Sequence, residues 1–251
     1  MRSFCDIQYG KLGHAMQKLD IHLPDEGNEF PVFVYFHGGG IEGGDKADVY
    51  FTDTVTTRGI GIVSVNYRMY PEAKYPEFIE DCAESVAWVF ENIGKYCKPK
   101  GIYVGGSSAG GYLSMMLCFD KSRLGKYGIS PLDIAGYIHD AGQPTVHFNV
   151  LEYGNEDSRR IIVDERAPLY HIGVDEKYSP MLIIVSDFDM QNRFEQTMLL
   201  VSTLEHFGHK EDVQLKIMKG KHCAYIFKNA IDKNGNNPFG VLVANYINSF
   251  N

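Results

Sequence analysis

The chain has 251 residues, 44% of them hydrophobic and 22% charged, with a formal net charge of −8. This is ordinary globular composition, and the length alone permits one or two domains. The acidic balance and the lack of any basic run argue against a nucleic-acid footprint and against binding to anionic membranes.

At the N-terminus, "MRSFCDIQYGKLGHAMQKL" has no continuous apolar core, so no signal peptide is expected, and no later run is long enough to span a membrane. The five cysteines (Cys5, Cys82, Cys97, Cys118, Cys223) are odd in number and without CxxC spacing. They read as free thiols in a reducing cytoplasm.

In chain order, strands are expected at Lys18–Leu23, Val32–Phe36, Gly61–Val65, Gly101–Val104, Ile134–Ile138, Met181–Val185 and Val213–Met218. Several are near-continuous apolar runs, as strands covered on both faces require. Helices are expected between them. Asp45 would cap Lys46–Arg58. Pro76 would open a helix through Glu91 that buries Phe78, Cys82, Val86 and Val89 on one face. Ala109–Phe119 follows, then Met190–Phe207, which ends at Gly208, and Pro238–Phe250 closes the chain. Strand–helix alternation over the whole length predicts one α/β domain with a mostly parallel sheet. The exception is Ala141–Pro180, a mixed polar connection of a length that signals a small lid or a substrate-pocket insertion. In such a sheet the site belongs at the carboxyl ends of the strands.

"VGGSSAGG" after a strand has three competing readings. A phosphate loop needs Lys-Ser or Lys-Thr after the last glycine, and here Tyr112 and Leu113 follow. A dinucleotide fingerprint fails at its third position, which is serine. The remaining reading is G-x-S-x-G, a strand–turn–helix elbow that presents a nucleophilic serine. Residues two before and two after that serine crowd together and should be small. Ser108 has Gly106 and Gly110 there, while Ser107 has Gly105 and Ala109, so Ser108 is the expected nucleophile. The N–H of Ala109 at the helix start would be one oxyanion donor. A second glycine cluster, "HGGG", follows the strand ending at Phe36, and Gly38 or Gly39 is the candidate for the other donor.

The motifs "HGGG", "NYRMYPEAKYP" with "DCAESVAWV", and "GGSSAGG", in this order, resemble the hormone-sensitive-lipase and acetyl-esterase branch of the α/β-hydrolases. The resemblance runs from about Lys18 to Ala224 and implies the α/β-hydrolase fold. Many members of the branch carry a longer N-terminal cap, while about seventeen residues precede the first expected strand here, so the chain looks more like the compact esterases of acetylated or feruloylated carbohydrates, or like kynurenine formamidase. Ile41 stands after HGGG where the branch often has an aromatic residue, so no acyl preference carries over. His37 is implied as a positioning residue, Asp45 as a cap, and Arg68 as structural.

A serine hydrolase needs a histidine base and a carboxylate to orient it, here in the chain order serine, acid, histidine. After Met181–Val185 comes "SDFDMQ"; Asp189 matches the family position, and Asp187 is the alternative. After Val213–Met218 comes "KGKHCAY", with His222 where the base belongs. His139, His147 and His171 precede the acid, and His206 and His209 lie before the last strand. Cys223 is expected to be a pocket wall, and His139-Asp140 at a strand end would either border the site or play a structural role. No cluster has metal spacing, and neither metal nor cofactor is expected. The expectation is a serine carboxylesterase acting on small acyl esters, acetyl or aryl, including esters on carbohydrate. An arylformamidase using the same triad is the alternative, and a non-catalytic binding protein on the same fold is a third reading. The expected partner is a small-molecule ester, with no nucleic acid or membrane; oligomeric state is not legible.

Overall fold

The computed structural model describes residues 1–173 and 177–250. Its centre is an eight-stranded sheet in the order β1-β2-β4-β3-β5-β6-β7-β8. The strands are β1 (Arg2–Gln8), β2 (Lys18–Leu23), β3 (Glu29–Phe36), β4 (Gly61–Val65), β5 (Lys98–Ser107), β6 (Gly136–Asp140), β7 (Met181–Phe188) and β8 (Val213–Lys221). β1 and β2 pair antiparallel, as do β2 and β4, and all later pairs are parallel. This is the α/β-hydrolase architecture, in agreement with the sequence reading.

Helices α1 (Thr52–Thr56), α2 (Glu77–Asn92), α3 (Ala109–Phe119), α4 (Lys121–Gly125), α5 (Phe148–Tyr153), α6 (Arg193–His206) and α7 (Pro238–Asn248) surround the sheet. α2 buries Phe78, Cys82, Val86 and Val89, as its spacing predicts. Each such burial stabilises the fold by about 1.5–3 kcal/mol. α3 is buried at every position. Its lack of a polar face follows from its place at the centre of the molecule.

Two expectations fail, for identifiable reasons. β1 is absent from the sequence reading because it is an edge strand with a polar, mostly exposed sequence and a register shift between Phe4 and Ile7. The expected helix Lys46–Arg58 shrinks to Thr52–Thr56. Tertiary contacts pull its first half off the helical path. Lys46 Nζ forms ion pairs with Asp20 (2.8 Å) and Asp6 (3.0 Å), and its N–H donates to Asn66 Oδ1 (2.6 Å). Asp45 accepts from the N–H of Ala47 (2.8 Å) and from Asn66 Nδ2 (2.8 Å), holding a turn instead of capping a helix. Arg68 is a structural clamp: Nε and Nη2 reach the two oxygens of Asp81 at 2.9 and 2.8 Å.

The connection 141–180 contains α5, and residues 174–176 lie outside the described part. Thr145, His147 and Asn149 are buried, so this stretch is packed onto the body of the protein. Asn149 Nδ2 donates to Gly40 O (2.6 Å) and Glu42 Oε2 (2.8 Å), and Tyr153 Oη donates to Glu42 Oε1 (2.9 Å). The connection thereby grips the glycine turn that follows β3.

Candidate active site

β5 ends at Ser107, and Ser108 forms the tip of the turn into α3 with φ 55° and ψ −115°. A non-glycine residue in that conformation is strained and needs its surroundings to hold it. Its N–H donates to Asp140 O at 2.8 Å, which pins the turn to the end of β6. The glycines make room. A Cβ on Gly110 would lie 2.0 Å from Phe36 O, and one on Gly106 would lie 2.5 Å from the carbonyl carbon of Gly110. Ser107 is fully buried within the strand, whereas Ser108 faces the cleft.

Three side chains that are far apart in sequence converge here. Ser108 Oγ lies 2.9 Å from His222 Nε2, and His222 Nδ1 lies 2.5 Å from Asp189 Oδ1. Asp189 follows β7 and His222 follows β8, so parallel neighbours bring them to one end of the sheet. Asp189 also accepts from the N–H groups of Met190 (2.7 Å) and Ser186 (3.1 Å). Burial pushes its carboxyl upward, but these hydrogen bonds and the His222 ring outweigh it and hold the group below its ordinary value. Asp187 is not part of this group. It pairs with Lys219 (2.8 Å) and accepts from the Gly220 N–H (2.8 Å), which clasps the ends of β7 and β8.

The turn after β3 lies against the elbow. A Cβ on Gly38 would sit 3.3 Å from Ser108 Cβ, so this backbone passes directly beside the serine. Gly39, at φ 111°, bends the chain back, and its carbonyl accepts from the Gly43 N–H at 3.1 Å. Among the described residues, the N–H groups of Gly38 and Gly39 donate to no acceptor. Ala109 opens α3, where the first N–H groups have no intrahelical partner. His37 is buried and stacked on Tyr67 with ring centroids 4.5 Å apart, and its Nδ1 lies 2.7 Å from Gly38 O. Burial pushes His37 below its ordinary value, so it is neutral and donates Nδ1–H to that carbonyl.

Beneath the triad lies a second carboxylate. Asp140 at the end of β6 is fully buried and accepts a short hydrogen bond from Tyr225 Oη. Burial pushes it up to about 6. Cys223 Sγ lies 3.8 Å from Asp140 Oδ2 and 3.7 Å from His222 Nε2. Burial and the adjacent Asp140 push the Cys223 thiol well above its ordinary value, so it is not a nucleophilic thiolate. His139 turns away, with Nδ1 2.8 Å from Ser114 Oγ.

The cleft over Ser108 has a volume of about 390 Å³. Phe148, Met190, Ile226 and Phe227 supply an apolar wall above Ser108 and His222. No sequence signal identified Phe148 or Asn149, because their role depends on how 141–173 folds back over the sheet. Among the described residues, no group of three or more His, Cys, Asp or Glu side chains is placed to hold a metal. Likewise, none of their helices is long and apolar enough to cross a membrane.

The chain is similar to known proteins in both sequence and fold. The BD-FAE family model matches residues 19–126. Carboxylesterase NlhH of Mycobacterium tuberculosis is 35% identical over 130 residues, covering 50% of this chain and 35% of that protein. Carboxylic ester hydrolase LipN of the same organism is 34% identical over 109 residues, covering 41% of this chain and 29% of LipN. The matched region thus spans about a third of these curated relatives. A truncated carbohydrate esterase from gut microbiota superposes with a TM-score of 0.80 at 18% identity, over 99% of this chain and 96% of that one. An esterase from the archaeon Pyrobaculum calidifontis gives 0.76 at 22% identity, over 99% and 86%. With the strand order, the serine elbow and the glycine turn accounted for, the chain has the α/β-hydrolase fold, and about half of it is similar in sequence to curated carboxylesterases.

Proposed function

We propose that the protein is a serine carboxylesterase that cleaves small acyl esters through an acyl-enzyme intermediate. The observation that carries this reading is the relay from Ser108 Oγ to His222 Nε2 (2.9 Å) and from His222 Nδ1 to Asp189 (2.5 Å), set at the floor of an apolar cleft. Ser108 Oγ attacks the ester carbonyl as its proton passes to His222 Nε2. The low-lying Asp189 carboxylate stabilises the imidazolium that forms and fixes the tautomer. Negative charge growing on the carbonyl oxygen meets the free N–H groups of Ala109 and of Gly38 or Gly39, with Gly38 the nearer to the serine. His222 then protonates the departing alcohol oxygen, and water repeats the sequence on the acyl-enzyme.

The wall of Phe148, Met190, Ile226 and Phe227 suits an acyl or aryl group of modest size. The carbohydrate esterase among the structural neighbours supports an ester on a sugar as one such substrate. The whole forms one catalytic domain with 141–180 as its pocket insertion. Five unpaired thiols suit a reducing cytoplasm. The test is hydrolysis of p-nitrophenyl acetate together with labelling by a fluorophosphonate. The wild-type protein should do both, and S108A should lose both. Hydrolysis by S108A at the wild-type rate would overturn the assignment.

A further inference from the structure

A second cavity adjoins the catalytic cleft. It has a volume of about 270 Å³, and Phe148 and Met190 line both it and the cleft. Three of the chain's eight arginines line it, Arg159, Arg160 and Arg193, and no carboxylate does. In a protein with a net charge of −8, such a lining is the reverse of the average surface.

The cavity is built from fixed parts. Arg193, at the start of α6, is only 3% exposed. It donates to Ala141 O and to Gln143 Oε1 (3.1 Å), both neutral acceptors. The carboxylate whose field it feels, Asp189, is already engaged by His222 and two backbone N–H groups. A buried guanidinium without its own counter-ion is costly. Gln143 Nε2 donates to Val146 O (2.8 Å), and Gln196 Oε1 accepts from Thr145 Oγ1 (2.9 Å). The amide NH2 of Gln196 has no partner among the described residues. Arg159 is neutralised by Asp157, with N···O distances of 2.8 and 2.7 Å. The guanidinium of Arg160 lies in the field of Glu156 and Asp157, which are paired with Arg166 and Arg159, and it hydrogen-bonds to no described residue. What remains unfilled is therefore donors and positive charge: Arg160, the Gln196 amide, and the field of Arg193.

We propose that this cavity is a subsite for an oxyanionic group, carboxylate or phosphate, so that the preferred substrate is an ester bearing a negative charge away from the scissile bond. The apolar cleft takes the part next to the reacting carbonyl, and the charged end passes Phe148 and Met190 to reach Arg160. A planar guanidinium suits either anion because it offers paired donors. The inference rests on the esterase reading for its catalytic consequence, but anion binding does not depend on turnover.

Two measurements keep these separate. The first compares kcat/KM for anionic and neutral esters. p-Nitrophenyl hemiglutarate is set against p-nitrophenyl butyrate, and 4-acetoxybenzoate and 4-acetoxyphenyl phosphate against phenyl acetate. At least one anionic ester should exceed its neutral counterpart about tenfold, the size of one charge-assisted hydrogen bond. The gain should lie in KM and shrink in high salt. R160Q should lower that anionic-to-neutral ratio by about the same factor, and the phosphate arm tells which anion is meant. Ratios near one in the wild-type protein, or ratios untouched by R160Q, overturn the proposal. The second measurement is calorimetric binding of glutarate and phenyl phosphate to S108A and to S108A/R160Q. Binding that the second substitution weakens supports the subsite even where every ester, neutral or charged, is left intact and only the esterase reading fails. No binding of either anion overturns it.

Discussion

The elbow around Ser108 and the connection over residues 141–173 both border the cleft, yet they are built on opposite terms. At the elbow the backbone is crowded: Gly106 and Gly110 lie so close to neighbouring carbonyls that no side chain fits. The connection has only short helical segments; it buries Val146, Leu151 and Ala167 in the core and adds hydrogen bonds such as those of Asn149 and Tyr153 to Gly40 and Glu42. The first region holds the reacting serine in one place, which bond making demands. The second supplies Phe148 and the arginine-lined cavity, which concern what is bound. The difference teaches that reaction type and substrate choice are separable parts of this fold.

That division can be broken by experiment. The largest effect is expected at the acid. D189N should lower kcat for p-nitrophenyl acetate about 10³–10⁴-fold, because the amide no longer secures the correct His222 tautomer. A loss under tenfold would show that Asp189 is not the orienting group. Next comes G110A. The added Cβ would sit 2.0 Å from Phe36 O, and overpacking of rigid backbone should cost about 3 kcal/mol or more in urea unfolding, if the protein folds at all. Wild-type stability in this variant would mean the elbow has slack.

Asp140 gives an effect of comparable size that depends on pH. Its folded value, about 6, lies above the ordinary 3.8, so ionising it costs folding stability as pH rises from 3.8 to 6. At about 1.4 kcal/mol per pH unit, the penalty accumulates to about 3 kcal/mol and then levels off. D140N carries no such penalty. Its stability relative to the wild-type protein should therefore improve by about 2 kcal/mol between pH 4 and pH 7, read from urea midpoints at each pH. His139 and His147, each held neutral by burial down to about 3, make both proteins less stable below pH 6.5 and leave the difference unchanged. A flat difference would mean the Asp140 carboxyl is not buried as an acid.

The smallest effect sharpens the comparison most. N149A removes two of the hydrogen bonds through which the connection grips the glycine turn, leaving the one from Tyr153 to Glu42, and should cost about 1–2 kcal/mol of stability. If the turn needs that grip to aim its N–H groups, kcat should also fall several-fold. An unchanged kcat with lowered stability would leave the two regions fully independent.

Much of the site was legible because its signals are local. The glycines two before and two after Ser108 are a steric requirement written into consecutive residues, and the chain places them there. Strand ends could be located from apolar runs: β2 and β4 begin and end where the spacing predicts. Once the sheet is parallel, the loops after β7 and β8 must open on the same side as the elbow, which narrowed the acid to Asp187 or Asp189 and the base to His222. Other features left no such trace. β1 reads as polar because it lies at the sheet edge, and Lys46 leaves its expected helix for Asp20, a partner 26 residues earlier. Asp140 was visible only as an odd carboxylate at a strand end; its burial and its contact with Tyr225, 85 residues on, come from the docking of the histidine loop.

The sequence by itself determined the alternation of strands and helices, the strained turn at Ser108 and the order of the three polar residues, because each depends on neighbours along the chain. Tertiary structure alone decided that Asp189 and not Asp187 faces His222, that Phe148 walls the cleft, and that three arginines share a cavity without a carboxylate lining it. Those outcomes depend on side chains from distant segments meeting in space, and a periodic pattern carries no information about which of them will meet.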